Sequence, residues 1–158
     1  MNALSEIEAI KRLKHRYFRC LDRKDWTGLA DCFSADATAA YDSGRYSYDG
    51  RPAILEFLSG ALGSPDVISL HHGHHPEIEV DGTTATGIWY LEDYLIFAST
   101  NTRLRGAAFY EDRYVREAAG WKISHTGYVR SFEEIQDGHG DPPRWVLTRH
   151  GDHLINHR

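Results

Sequence analysis

The N-terminal third of the chain places apolar residues at helical spacing. In the first segment these residues are Ile7, Ile10, Leu13, Tyr17, Cys20 and Leu21. The spacing predicts a helix over about residues 5–23, with Ser5 and Glu8 forming a capping box at its start. A second, short helix follows with Asp25 as its cap, and a third begins at Gly50-Arg51-Pro52. The pattern therefore predicts three N-terminal helices.

From about residue 67 onward, apolar and polar residues alternate as they do in half-buried strands. Turn residues at 81–82, 101–102 and 119–120 divide this region into four long strands. Their approximate ranges are 67–80, 84–99, 104–117 and 121–131, and two short strands lie near 38–42 and 46–48. Long strands that follow one another without helices form antiparallel hairpins. We therefore predict an α+β fold with an antiparallel sheet.

The composition changes after Phe132, where glycine, proline and aspartate become frequent. This change indicates a loop that leads into a C-terminal tail. We predict one α+β domain over residues 1–132. Residues 133–158 are expected to pack on that domain or on a neighbouring subunit.

Charge and composition narrow the classes of function. The formal net charge of −5 over 158 residues argues against a nucleic-acid-binding surface. No apolar run is long enough for a transmembrane helix, and no signal peptide is evident, so we expect a cytoplasmic protein that does not bind membranes. The two cysteines are not in a C-x-x-C motif and are expected to be buried thiols. Aromatic residues make up 12% of the chain, and pockets for apolar ligands are often lined by aromatics.

Four histidines occur within five positions of the first long strand: His71, His72, His74 and His75. Alternation along a strand places His71 and His75 on one face and His72 and His74 on the other, unless a bulge at Pro76 shifts the register. One face could enter a pocket, or all four histidines could lie on a polar surface. His72 and His74 could also chelate zinc, but the sequence shows no convincing third and fourth ligand. We therefore predict no bound metal and no cofactor.

Asp93 is the single carboxylate in the otherwise apolar row of odd positions from Ala85 to Phe97. A carboxylate on a buried face requires a partner or a raised pKa, and the alternative is a position at a pocket rim. Arg130 shares the parity of Tyr128 and Phe132 on the last strand. It could bind an oxyanion or pair with Asp93, and the sequence does not decide between these roles.

Asp22 ends the first predicted helix, and by itself it is most simply a cap or a solvated carboxylate. Beside a histidine, however, it would orient the ring and raise its basicity. Tyr17 lies five residues earlier and so points about 140° away from Asp22 around a regular helix. The two side chains are expected to share a pocket only if the helix end bends or unwinds.

The order of these segments resembles the SnoaL-like, nuclear transport factor 2-like superfamily over about residues 4–132. The matching segments are Tyr17-Phe18-Arg19-Cys20-Leu21-Asp22-Arg23-Lys24-Asp25-Trp26, Phe33-Ser34-Ala35-Asp36-Ala37, Gly50-Arg51, His71-His72, Tyr110-Glu111-Asp112-Arg113-Tyr114 and Gly120-Trp121-Lys122-Ile123. The resemblance implies a cone-shaped α+β barrel, in which a strongly curved antiparallel sheet wraps around three N-terminal helices. It also implies a deep pocket at the open end of the cone.

Within this superfamily the chain looks most similar to the branch of scytalone dehydratase, bile-acid 7α-dehydratase and hexachlorocyclohexane dehydrochlorinase. That likeness implies a His–Asp pair at His71 and Asp22. It also implies further pocket positions at Tyr17, Tyr41, Asp93 and Arg130. Tyr110 stands at a pocket position that holds asparagine in scytalone dehydratase. The second pocket histidine of that enzyme is absent, and Asp93 or Tyr94 falls near its place.

Two hypotheses follow. The first is a cofactor-independent lyase of dehydratase type, or an isomerase, acting on a small apolar ring compound with a carbonyl group. In this hypothesis His71, Asp22, Tyr17, Asp93 and Arg130 act in catalysis. The residues expected to contact substrate are Tyr41, Trp89, Tyr110 and His72. The second hypothesis is a non-catalytic module that binds a small molecule in the same pocket. In either case exposed aromatic sheet faces favour a homodimer or homotrimer.

Overall fold

Three helices precede the long strands, as the apolar spacing predicts. The computed structural model describes residues 3–139 and 144–149, and its helices are α1 (Ala3–Asp22), α2 (Trp26–Ala30) and α3 (Arg51–Leu62). Asp25 caps α2 by accepting a hydrogen bond from the backbone N–H of Gly28. α1 starts two residues before Ser5, so the predicted cap lies inside its first turn. None of the helices in this described part has both the length and the apolar character needed to cross a bilayer.

Seven strands form one curved sheet. They are β1 (Phe33–Tyr41), β2 (Tyr46–Asp49), β3 (Val67–Asp81), β4 (Thr84–Phe97), β5 (Thr102–Glu117), β6 (Gly120–Asp137) and β7 (Arg144–Arg149). The strand order is β2-β1-β6-β5-β4-β3, with β7 also paired to β6, and the sheet does not close into a complete barrel. The long hairpins are antiparallel as predicted, but β1 pairs with β6 in parallel. The sheet is therefore mixed rather than fully antiparallel.

The last long strand extends beyond its predicted end. β6 continues to Asp137, six residues beyond its predicted end at residue 131. Its first half pairs with β1, and its second half pairs with β7 in antiparallel register. Residues 144–149 therefore add a strand to the same sheet. The remaining residues of the predicted tail, 140–143 and 150–158, lie outside the described part.

The inner face of the sheet packs against α1. In β4 the predicted inward row is buried from Ala85 to Asp93 at every second residue. In β3 the alternation holds until a bulge between His74 and Glu77, where His75 adopts a left-handed φ of 48°. Gly73 lies against the ring of Phe18 on α1, and a Cβ atom at this position would overlap that ring. Helix and strand therefore approach closely next to His71.

Candidate active site

His71 and Asp22 meet where the end of α1 crosses β3. The Nδ1 atom of His71 lies 2.6 Å from Asp22 Oδ1, which also accepts a 2.9 Å bond from the Ser69 hydroxyl. Asp22 Oδ2 accepts the backbone N–H of His71 at 2.9 Å. The side chain of His71 is 8% exposed and that of Asp22 is 20% exposed. The carboxylate thus holds both the ring and the backbone of His71.

The tautomer of His71 follows from this contact. An ionised carboxylate only accepts hydrogen bonds, so we assign the ring proton to Nδ1. The lone pair of Nε2 is then available to accept a proton from another molecule. The pair has the arrangement of a histidine general base with a carboxylate that orients it.

A cavity of about 460 Å³ lies beside His71. Its volume is within the range of small-molecule sites, about 300–1,000 Å³. Its polar lining includes Tyr17, Tyr41, His71, Asp93, Tyr110 and Arg130, together with Asp42, Arg45, Tyr46, Tyr128 and Glu133. Its apolar lining includes Leu21, Phe57, Leu58, Leu62, Leu95 and Leu104. The cavity therefore combines apolar surface with several polar groups, which suits a small organic molecule that carries oxygen atoms.

Tyr17 and Asp22 contribute to the site from different directions. α1 is helical through Asp22, so its end does not unwind between Tyr17 and Asp22. Tyr17 lines the cavity directly, whereas Asp22 reaches the site through His71. The wide angle between the two side chains is compatible with one site because His71, which Asp22 holds, lines the same cavity as Tyr17.

Buried tyrosines supply hydroxyl groups to the cavity. The hydroxyls of Tyr17 and Tyr41 lie 3.5 Å apart. Burial raises the pKa of Tyr17, Tyr41 and Tyr110 well above the usual tyrosine value, and it raises the pKa of Tyr128 to about 12. These phenols keep their protons near neutral pH. They can therefore donate hydrogen bonds to an oxygen atom of a bound molecule.

Asp93 and Arg130 form a bidentate ion pair in the wall of the cavity. Both nitrogen–oxygen distances are 2.5 Å, and both side chains are almost fully buried. Burial lowers the pKa of Arg130, but the hydrogen bonds and the charge of Asp93 outweigh burial and raise it overall. Arg130 also lies over the ring of Tyr128, 4.9 Å from its centre. Of the two roles considered for Arg130, the structure shows the pairing with Asp93.

Two residues predicted to contact substrate lie away from the cavity. Trp89 is fully buried, and its indole N–H donates a 2.9 Å hydrogen bond to the hydroxyl of Tyr114. It is on the inner face of β4 as predicted but is not part of the cavity lining. His72 is exposed, because alternation along β3 turns it to the face opposite His71. Neither residue lines the cavity, so the structure gives no support to substrate contact by Trp89 or His72.

A buried ion pair beneath the tyrosines was not predicted. Lys14 and Asp112 are both fully buried and lie 2.7 Å apart. Asp112 also accepts hydrogen bonds from Tyr114 and Thr126, and the Lys14 ammonium lies 3.6 Å from the centre of the Tyr110 ring. A signal was present in the sequence, since Lys14 shares the apolar face of α1 and Asp112 shares the inward parity of Tyr110.

Comparisons with known proteins agree with this architecture. A family model of the SnoaL-like domain matches residues 2–127. An uncharacterized protein of Mycobacterium tuberculosis is 28% identical over 134 residues, covering 84% of this chain and 90% of that protein.

Among solved structures, a proposed scytalone dehydratase from Novosphingobium aromaticivorans has a TM-score of 0.76 and 22% identity, covering 82% of this chain and 87% of that one. A type 3 hexachlorocyclohexane dehydrochlorinase from Novosphingobium barchaimii has a TM-score of 0.72 and 20% identity, covering 92% and 91%. At these identities the two structures establish the fold alone. The family match spans most of the sequence and agrees with the resemblance drawn from its motifs, so the chain belongs to the SnoaL-like family.

Proposed function

We propose that the protein is a cofactor-independent lyase of dehydratase type, or an isomerase, for a small apolar ring compound that carries a carbonyl group. The observation that carries this proposal is the 2.6 Å contact of Asp22 with His71, a histidine that lines the cavity. A pocket used only for binding apolar molecules would gain nothing from a carboxylate that orients a histidine in its wall. Structural neighbours that include a proposed dehydratase and a dehydrochlorinase support the same class of reaction.

In the proposed reaction, His71 acts as the base. Its Nε2 takes a proton from the carbon next to the substrate carbonyl, and Asp22 stabilises the imidazolium that forms. The hydroxyl of Tyr17 or Tyr41 donates a hydrogen bond to the oxygen of the developing enolate. For dehydration, the enolate expels a hydroxyl group from the adjacent carbon, and the imidazolium returns its proton to make water. For isomerisation, the imidazolium instead returns the proton to another carbon.

The Asp93–Arg130 pair is assigned to substrate placement and to assistance of the leaving group. Each side chain already satisfies the other's charge, so the pair presents no isolated ion to an apolar ligand. Tyr110 adds a further neutral hydroxyl group to the cavity wall. Together these groups favour a ligand with one or two oxygen atoms on an apolar ring, such as a phenolic, polyketide or steroid ketone.

The alternative is a binding module without catalysis, which the mostly apolar cavity would also serve. To separate the two functions, a panel of ring ketones would first be screened for thermal stabilisation of the protein. Ligands that bind would then be incubated in deuterated water, and deuterium uptake and product formation would be followed by mass spectrometry. The proposal predicts exchange or turnover that depends on His71 but not on its exposed neighbour His72. Binding without exchange or product would leave only the binding module.

A further inference from the structure

The outer face of β3 and β4 carries a group of metal-binding side chains away from the cavity. His72, His74 and Glu92 are all exposed, and one ligand atom from each lies within 4.8 Å of the other two. His72 is paired directly opposite Glu92, and His74 follows two residues later on the same face. In the sequence the two histidines have no third ligand nearby. The pairing of β3 with β4 supplies one.

We propose that His72, His74 and Glu92 form a binding site for Zn²⁺ or a similar divalent transition metal. Two imidazole nitrogens and one carboxylate oxygen are a donor set that zinc uses, with water in the fourth position. Tetrahedral coordination at the usual bond lengths places ligand atoms about 3.4 Å apart. The exposed side chains must therefore rotate inward by about an ångström. In the single chain the site is open to solvent and has three protein ligands, so metal binding there is reversible.

The backbone beneath this site is regular. β3 and β4 keep their antiparallel register from His72 to His74, and the bulge starts only after His74. The two imidazole rings already lie with their centres 5.5 Å apart. A metal bound here would link two adjacent strands through their outer face. It is independent of the proposed reaction, because His71 faces the opposite side of the sheet.

Arg105 is the competitor for this site. Its Nη2 donates a 3.1 Å hydrogen bond to Glu92 Oε1, and both side chains are about half exposed. An exposed pair of this kind is weak, so it does not prevent coordination by Glu92. Removing the arginine should leave metal affinity unchanged or make it a few-fold tighter. An effect specific to the site would be seen on replacing Arg105 but not on replacing another exposed arginine. Nonspecific attraction of cations would respond equally to the loss of either positive charge.

The test is a titration of the untagged full chain with zinc chloride, in which the heat of binding is measured by calorimetry. The chain has ten histidines, and three of them, His150, His153 and His157, lie outside the described residues. The titration is therefore made in the variant H150A/H153A/H157A as well as in the wild type. We expect one zinc ion per chain in both proteins. H72A/H74A and E92Q should each bind at least tenfold more weakly, while H139A, which removes an exposed histidine outside the cluster, should bind like the wild type.

A second measurement separates loss of binding from loss of folding. Circular dichroism without metal should be the same for H72A/H74A, E92Q, R105Q and H139A as for the wild type, because these four replacements change exposed side chains. Zinc should raise the unfolding temperature of the wild type and of R105Q, but not that of H72A/H74A. Zinc binding that survives in H72A/H74A with unchanged affinity would overturn the proposal. So would binding that is lost only in the H150A/H153A/H157A variant.

Discussion

At the scale of single residues, the proposed chemistry depends on which nitrogen of His71 carries the proton. Asp22 uses both of its oxygens on the same residue, one on the ring and one on the backbone N–H. This double contact fixes the position of the ring as well as its tautomer. Ser69 adds a third hydrogen bond to the carboxylate. The proposed base is therefore oriented before any substrate enters.

The first prediction concerns this pair. Once a turned-over ligand is found, His71→Ala should lower kcat by about 10²–10⁴-fold, the usual contribution of a general base. Asp22→Asn should also lower kcat, because an amide has one acceptor oxygen for two N–H donors of His71. His72→Ala should leave kcat within about twofold, since His72 lies on the opposite face. Equal losses in His71→Ala and His72→Ala would contradict the assignment of the base.

The sequence predicted these residues to different extents. Strand alternation placed His71 and His72 on opposite faces, and the bulge that could have changed this lies after His74. The contact between His71 and Asp22 came from the family resemblance, because 49 residues separate them. For Arg130 the sequence left two roles open. Asp93 lies on β4 and Arg130 on β6, with β5 between them, so only the folded sheet shows that the two residues pair.

At the scale of helices and strands, periodicity predicted which segments form helices and strands, but it did not predict every pairing between strands. The parallel pairing of β1 with β6 joins residues about 90 positions apart, and no turn between them specifies it. Alternation defines the buried face of a strand, whereas its lateral partner depends on the whole sheet. β6 extended further than predicted for a related reason. Pairing with β7 stabilises a segment whose own sequence contains two glutamates, Glu133 and Glu134.

The second prediction uses a glycine in β5. A Cβ atom at Gly106 would overlap the Nη1 atom of Arg130 and lie 2.9 Å from Asp93 Oδ1. Gly106→Ala should therefore displace the ion pair and lower the free energy of unfolding by about 1–3 kcal/mol. Urea denaturation gives this value. Ligand affinity should fall as well, because both partners line the cavity.

Gly60 on α3 is the matched control. No atom lies within 4 Å of a Cβ built there, and alanine favours a helix more than glycine does. Gly60→Ala should therefore raise the free energy of unfolding by about 0.5–1 kcal/mol. If Gly106→Ala were as stable as the wild type, the close packing around the Asp93–Arg130 pair would be refuted.

At the scale of the whole molecule, the interior contains more polar groups than the apolar pattern indicates. Lys14 and Asp112 come from α1 and β5, and each completes the hydrogen bonding of the other in the core. Burial lowers the pKa of Lys14, and the charge of Asp112 opposes that effect. Trp89 was placed near the substrate because its row faces inward. Trp89 packs in the core, and the same row of β4 reaches the cavity only at Asp93 and Leu95. The sequence does not show where along the strand the cavity begins.

The third prediction concerns assembly. Apolar side chains on the outer face of β3 and β4 remain exposed, namely Ile68, Leu70, Ile88 and Tyr90. Members of this family often form oligomers, and we propose that this face contributes to a homodimer or homotrimer. His72, His74 and Glu92 lie on the same face, so zinc would bind beside the contact between the chains. Leu70→Glu with Ile88→Glu should shift the mass measured by light scattering to that of a monomer. Thr86→Glu, which also replaces an exposed residue of β4, should not. A monomeric wild-type protein would refute the assembly.

The fourth prediction concerns stability in alkali. Burial raises the pKa of five tyrosines: Tyr17, Tyr41, Tyr110, Tyr114 and Tyr128. Unfolded tyrosines lose their protons near pH 10, so above that pH the native state binds more protons than the unfolded state. The free energy of unfolding must then fall as pH rises. Five groups together remove up to about 7 kcal/mol per pH unit, which is comparable with the whole stability of a typical domain.

Ultraviolet absorbance of phenolate and circular dichroism, followed together from neutral to alkaline pH, test this prediction. The five buried tyrosines should ionise in the same step in which the secondary structure is lost. Tyr128, whose pKa is raised to about 12, gives the control. Tyr128→Phe keeps the ring but removes one of the titrating hydroxyls that make the native state bind more protons than the unfolded state. The free energy of unfolding of this variant should therefore fall less steeply with pH than that of the wild type. Reversible ionisation of all nine tyrosines near pH 10 without loss of structure would show that the hydroxyls of the cavity are not buried as described.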